Sequence, residues 1–369
     1  MRAALALALV ALLSACSFGN DRPKPKPLEA IAAPIVVRPA WNQAIGTVQF
    51  PLTVAVNGGT LTLAASDGSV MAVEAASGRT IWRTSVGNKI SAGVGSDGKV
   101  AAVVTREGEL VAIEAGQVKW RKALGVRVAT APLVAGGRIF VLAVDRAVLA
   151  YDAADGARIW QLQRPGDALT LSQTGVVAAF KNTLVVGQGP RMAAIDPISS
   201  AVRWEVTIGA PRGANEVERL ADLIGPAMRA GDVMCARSFQ AGVGCVDAER
   251  GSVVWTKTIG GTDAVAGDAE LLFGADASDR LTTWKTTSGD VAWTSEALMF
   301  RRLSAPVATP QSVVFGDIDG TLHFLSRAKG ESQARLTTDG SPISVPPLFV
   351  GGLVIVVTRS GGVFAFRPA

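Results

Sequence analysis

Ala72-Val73-Glu74-Ala75-Ala76-Ser77-Gly78-Arg79-Thr80-Ile81-Trp82 is a phrase that this chain writes again and again. Its glycine stands four residues before its tryptophan, and the same spacing returns at Gly116 and Trp120, Gly156 and Trp160, Gly251 and Trp255, and Gly289 and Trp293. Trp204 keeps the place with Ser200 in the glycine position, and Trp41 supplies a seventh ring. The seven rings lie 41, 38, 40, 44, 51 and 38 residues apart. An eighth copy follows at Gly330, with Ala334 in the tryptophan slot 41 residues after Trp293. Ahead of each glycine comes a small residue, an apolar one and usually an acid, as in Ala112-Ile113-Glu114, Ala150-Tyr151-Asp152, Ala194-Ile195-Asp196 and Cys245-Val246-Asp247.

Each unit reads as four short strands. In the copy ending at Trp120, strands are predicted over 90–94, 100–105, 110–114 and 118–122, parted by Asp97-Gly98, Glu107-Gly108 and Gly116. Apolar β-branched runs between Gly and Asp turns are hairpin signals, and a period of about 40 residues is that of a four-stranded propeller blade. One such blade cannot bury its two faces, whereas a closed ring of them can. The last unit reaches Ala369 just where its outermost strand is due, and the Trp41 phrase has no unit in front of it. The chain is therefore predicted to be all-β, an eight-bladed β-propeller of four-stranded blades over 39–369. The strand near Trp41 closes the ring. The tryptophans are expected to lie flat between adjacent blades, on the glycine backbone of the next copy, as structural rings rather than ligand contacts.

Ahead of the ring, Arg2 precedes an apolar run over 5–13 that is too short to span a bilayer, and 1–15 reads as a signal peptide. Leu13-Ser14-Ala15-Cys16 resembles the bacterial lipobox, which implies lipidation of Cys16. Ser17, rather than Asp, then favours the outer membrane, with the protein on its periplasmic face. Asp21-Arg22-Pro23-Lys24-Pro25-Lys26-Pro27 follows as an extended charged segment, so 16–38 is expected to act as a tether.

Composition removes several functions. The 36 basic and 31 acidic residues leave a mild excess spread along the chain, and no basic cluster is interleaved with aromatics, so nucleic acid is not an expected partner. The one histidine is His323, which excludes His-rich metal sites, and no Gly-x-Ser-x-Gly elbow accompanies it. Gly316-Asp317-Ile318-Asp319-Gly320 resembles half of a calcium loop but lacks the remaining ligands. No catalytic residue, cofactor or metal is expected, and the chain is not read as an enzyme. Cys235 and Cys245 stand on strands either side of a turn near Gln240, where a disulfide depends on a register that the spacing leaves open.

Two irregularities break the repeat. The interval from Trp204 to Trp255 carries about ten surplus residues, placed within 209–228. There Asn215 is positioned to cap a short helix with Val217, Leu220 and Ile224 on one side and Glu218, Arg219 and Asp222 elsewhere. Earlier, 164–173 puts Leu169 and Leu171 on one face of an extended segment. Exposed beside the insertion, they would form an apolar spot with charged neighbours, the anatomy of a protein contact.

The repeat Ala-x-Asp-x-x-x-Gly-x-x-x-Trp resembles the pyrroloquinoline-quinone type of propeller repeat. Together with the lipobox, the proline-rich tether, the eight copies and Glu216-Val217-Glu218-Arg219-Leu220-Ala221-Asp222, it resembles the BamB family of the outer-membrane β-barrel assembly (BAM) machinery. That resemblance implies a noncatalytic scaffold lipoprotein that docks on a POTRA domain of the central barrel protein, BamA. Other BAM lipoproteins would be indirect partners, and unfolded barrel precursors its clients. It points to Leu169, Leu171 and Asp222 as contacts, with Glu216, Arg219 and Leu220 beside them. The family often carries Arg after the second leucine and an acid two residues beyond the aspartate, where this chain has Ser172 and Ile224. The alternatives are a quinone-dependent periplasmic dehydrogenase and a propeller lipoprotein that binds cell wall or another envelope component. The dehydrogenases are typically much longer and carry a metal-binding acidic set that this chain does not show.

Overall fold

The computed structural model describes residues 23–32, 34–164 and 169–368. The predicted signal peptide and Cys16 lie outside them. Eight antiparallel sheets of four strands make up the described residues, and none of these residues is helical.

In chain order, blade 1 comprises Ala55–Asn57, Thr60–Ala64, Ser69–Glu74 and Thr80–Ser85, and blade 2 comprises Ile90–Ser96, Val100–Thr105, Glu109–Glu114 and Gln117–Ala123. Blade 3 is Leu133–Ala135, Arg138–Leu142, Val148–Asp152 and Arg158–Leu162; blade 4 is Val177–Phe180, Thr183–Gln188, Arg191–Ile195 and Val202–Thr207. Blade 5 is Leu223–Ala230, Val233–Ser238, Gly242–Asp247 and Ser252–Lys257; blade 6 is Ala266–Gly267, Leu271–Ala275, Leu281–Lys285 and Val291–Ser295. Blade 7 is Val307–Ala308, Ser312–Gly316, Thr321–Ser326 and Ser332–Thr337. Blade 8 takes Leu348–Val350, Leu353–Val357 and Gly362–Pro368 from the end of the chain and Val37–Ala44 from its start, with Trp41 opposite Ala365. This is the predicted all-β, eight-bladed propeller with its predicted closure.

Burial follows position in the blade. The second and third strands are packed on both faces by neighbouring blades, so runs such as Val100–Thr105 are buried throughout and apolar up to Thr105. Fourth strands alternate between solvent and the interior, as in Gln117–Ala123. The core is thus distributed between blades, in clusters that join one blade's middle strands to the next.

The repeated phrase is a turn and a socket. Its acidic position accepts, through its main-chain oxygen, the N–H of the glycine or serine four residues on: Gly78 from Glu74, Ser200 from Asp196, Gly251 from Asp247. Where the acid is Asp, its carboxylate also takes the N–H groups inside the turn. Asp196 Oδ1 accepts from Ile198 at 2.9 Å and Ser199 at 2.8 Å, and Asp247 Oδ1 from Glu249 at 3.0 Å and Arg250 at 2.9 Å. The indole of the preceding blade lies on that turn. A Cβ added at Gly78 would sit 2.6 Å from the Trp41 ring, and one at Gly251 2.3 Å from Trp204. Most rings then donate Nε1–H to a carbonyl of the same turn, Trp41 to Ala75 at 2.9 Å and Trp255 to Thr286 at 2.8 Å.

Ala334 fills the tryptophan slot of blade 7 because the socket is absent. In blade 8 the third and fourth strands come from opposite ends of the chain, so no turn of this kind joins them to receive a ring. Chain leading into Val37–Ala44 covers the place instead: Ile35 N–H donates to Gln333 O at 3.0 Å, and Ile35 and Val37 pack on the cluster containing Ala334. The expected tether is correspondingly shorter than its proline-rich composition suggests. Lys26 N–H bonds to Met299 O at 3.1 Å, Arg301 Nη2 to Lys26 O at 2.7 Å, and Arg335 Nη2 to Glu29 O at 2.6 Å. From Lys26 onward, backbone carbonyls that an extended segment leaves free are bound by these two arginines.

Candidate functional site

A strand order of this kind places two sets of loops on one rim: the connections from each outer strand to the next blade, and the turns between second and third strands. The two longest connections on that rim are 163–176, between blades 3 and 4, and 208–222, between blades 4 and 5. They meet. Leu171 N–H donates to Asp222 Oδ2 at 2.9 Å, and Leu171, Thr170, Arg146 and Asp222 line a shared crevice of about 50 Å³.

Residues 165–168 of the first loop, part of the segment expected to be extended, lie outside the described residues; its described residues 163, 164 and 169–176 belong to none of the sheets. Its upstream end is held where Arg164 pairs with Glu205, and Thr170 Oγ1 donates to Val144 O at 3.0 Å. Leu169 is 37% exposed, Leu171 is half-buried and Ser172 is exposed. The two leucines thus form a ledge with one side chain presented to solvent and the other seated.

The second loop departs from its sequence reading. Asn215 does act as a cap: its Oδ1 accepts Glu218 N–H at 2.9 Å, while Glu218 Oε2 accepts Ala214 N–H at 2.8 Å. The helix expected after it is a single turn, closed by Arg219 N–H on Asn215 O at 3.2 Å. Its residues 211–219 are all exposed, Val217 at 67%, so no apolar face packs against the ring, and an unpacked turn does not propagate. Leu220 is half-buried, and Ile224 belongs to the first strand of blade 5, buried with Ala264 and Ala305. Val217, Leu220 and Ile224 therefore do not share a helical face. Glu216 and Arg219 stand exposed in the turn.

Arg146, Gln188 and Gly189 join this site without having been singled out in the sequence. Arg146 Nη2 lies 3.8 Å from Asp222 Oδ1, and Gln188 Nε2 donates to Arg146 O at 3.0 Å. Gly189, at φ +58°, passes so close that an added Cβ would lie 2.9 Å from Arg146 Nη1. The visible signal is only Gln188-Gly189-Pro190, a turn dipeptide with a polar neighbour; Arg146 at φ 69° has none.

On the same rim a funnel of about 530 Å³ opens toward the centre of the ring, lined by Phe50, Leu52, Ile224, Asp263, Pro346 and Arg359 among others. Burial pushes the Asp263 carboxyl above its usual range. Behind it Arg237 is fully buried and brought down to about 10 by that burial, with Asp263 and Asp276 acting in the opposite sense.

The remaining candidates have structural surroundings. Cys235 and Cys245 are register partners in blade 5, with Cα atoms 4.0 Å apart, and are joined as a disulfide. His323 and Asp317 are buried together in blade 7, with Nε2 and Oδ2 2.8 Å apart. Asp317 Oδ1 accepts the N–H groups of Asp319 at 3.0 Å and Thr321 at 2.8 Å, so this carboxylate organises its own turn.

Fold and rim together define a propeller of tryptophan-docking repeats whose irregular loops converge in one surface ledge. A family profile described as "Outer membrane protein assembly factor BamB" matches residues 66–295. A protein of that name from Bordetella pertussis is 35% identical over 375 residues, covering 99% of this chain and 97% of its own length. One from Burkholderia pseudomallei is 31% identical, covering 98% and 96%. The chain belongs to the BamB family. The crystal structure of BamB from Moraxella catarrhalis superimposes with a TM-score of 0.81 at 21% identity, over 90% of this chain and 100% of that one. Quinohemoprotein alcohol dehydrogenase from Comamonas testosteroni shares the fold, with a TM-score of 0.66 at 17% identity, over 89% of this chain and 76% of its own.

Proposed function

We propose that the protein is a noncatalytic scaffold of the outer-membrane β-barrel assembly machinery. It docks on the POTRA region of the central barrel protein and assists the insertion of barrel proteins. The observation that carries the docking surface is the ledge: Leu169 exposed, Leu171 beside it, and the exposed turn 211–219 on the same rim. The rim exposes Leu169 and Val217 together with Arg212, Glu216, Glu218 and Arg219, a mix of apolar and charged side chains that fits a protein contact with a polar margin. Glu216, Arg219 and Leu220 complete its margin, and Asp222 its base. Lipidation at Cys16 would hold the ring at the periplasmic face of the outer membrane, with 1–15 removed. Relatives named as outer membrane protein assembly factors along nearly the whole length support the assignment.

The test is copurification from the native envelope. Wild type is expected to bring down a POTRA-bearing barrel protein, and Leu169→Arg, at the exposed leucine, is expected to lose it while unfolding at the same temperature. Absence of that protein from the wild-type eluate would sink the reading.

A further inference from the structure

We infer that Asp222 and Arg146 are positioning residues of the docking ledge, and that Asp222 acts by holding Leu171 rather than by meeting a cation on the partner. The inference rests on the docking reading above and assigns the work within that surface.

The chemistry starts from an orphaned donor. Residues 169–172 belong to no sheet, so the Leu171 N–H has no ladder partner, and a half-buried N–H left unpaired is costly. Asp222 Oδ2 accepts it at 2.9 Å. A carboxylate is a stronger acceptor for a backbone N–H than a neutral oxygen, so this bond adds a firm hold at Leu171 to that of Thr170 Oγ1 on Val144 O. The other oxygen, Oδ1, faces Arg146 Nη2 at 3.8 Å. Both partners are largely shielded, with side chains 12% exposed for Arg146 and 17% for Asp222. A carboxylate enclosed in this way presents little of itself to an incoming protein, whereas Leu169 is 37% exposed.

The supports are themselves fixed from three blades. Asp222 O accepts Phe239 N–H at 2.9 Å, which ties its backbone to blade 5. Leu223 N–H, next along, bonds to Gly189 O at 2.8 Å in blade 4. Arg146 belongs to a blade 3 turn whose carbonyls take Gln188 Nε2 at 3.0 Å and Thr170 Oγ1 at 3.0 Å. The ledge is therefore set by the relative placement of three blades, and the aspartate is the link between them.

The experiment uses the full chain and the purified POTRA region as probe, with hydrogen exchange at the Leu171 amide as a readout that needs no partner. Asp222→Ala is expected to speed Leu171 exchange and to weaken binding about tenfold, the loss of one charge-assisted bond, and Arg146→Ala, which removes only the ion pair at 3.8 Å, to do both to a smaller degree. Asp222→Asn keeps an acceptor for the N–H but loses the charge. It is expected to keep exchange slow and to lose about threefold at most in affinity. Should Arg146→Ala fail to fold, Arg146→Gln keeps the first part of the side chain and a polar end and removes its charge. Equal loss of binding in Asp222→Asn and Asp222→Ala, or Leu171 exchange unchanged in Asp222→Ala, overturns the inference. A wild type that does not bind the probe instead overturns the docking reading, and the exchange rates still decide whether Asp222 is the support.

Discussion

At Gly251 two demands fall on one residue. Its φ of +67° is a conformation that a side chain makes costly, and its α-hydrogen side faces the Trp204 ring, which an added Cβ would approach to 2.3 Å. Ser200 meets only part of this, holding φ 62° in the turn below Trp160. A left-handed non-glycine residue costs about 1–2 kcal/mol, and displacing a packed indole adds to it. Gly251→Ala is therefore expected to destabilise by about 2–4 kcal/mol, read from equilibrium denaturant unfolding. A loss within experimental error would mean that the ring slides away freely and that the Gly-x-x-x-Trp spacing has another cause. This part was legible in the sequence because the same two demands recur at a fixed interval. Arg146 was not, because its role comes from a single contact that no repeat advertises.

Turns and loops divide in the same way. The turn from Asp196 to Ser200 is local, so its chemistry can be read from residue types alone. Backbone N–H of Ser199, then the Arg203 guanidinium at 2.6 Å and the N–H of Ile198, hold the Asp196 carboxyl well below the usual carboxylate range. A group whose folded pKa is depressed stabilises the fold above its unfolded value, about 3.9, and that contribution is lost as pH falls through the folded value. Wild type is thus expected to lose stability relative to Asp196→Ala as pH drops below about 4, and to keep a constant advantage above about 5. Parallel pH profiles of unfolding temperature for the two proteins would contradict it. The loop 208–222 shows the limit of such reading. Its Asn215 cap was legible, but the helix was not sustained, since whether a turn propagates depends on what packs beneath it, and beneath residues 211–219 nothing apolar does. Leu171 and Asp222 meet across 51 positions of sequence, a pairing that only the closed ring brings about.

For the whole molecule the decisive link is the one that joins the ends of the chain. The repeat count made the closure legible, because a unit without its outer strand and an outer strand without its unit imply each other. The use of Lys26 onward as a strap was not legible, since it depends on Arg301, between blades 6 and 7, and Arg335, in blade 7, reaching backbone carbonyls 275 and 306 positions away in sequence. Val37–Ala44 pairs along Gly362–Pro368 and carries Trp41 onto Gly78 of blade 1, so it serves blade 8 and the contact between blades 8 and 1 at once. Removing the chain through Ala44 leaves Gly362–Pro368 as an unpaired edge and strips the ring from Gly78. An open edge of this kind is a template for pairing with another chain. The truncated protein is expected to unfold at a lower temperature than wild type and to elute as higher oligomers. Arg301→Ala with Arg335→Ala, which releases the strap and also takes Arg301 Nη1 from its place 3.8 Å from Asp317 Oδ2, is expected to remain monomeric with a smaller loss. A truncated chain that stays monomeric and unfolds like wild type would show that seven complete blades and three strands close without the eighth outer strand, and that the strand belongs to the tether and not to the ring.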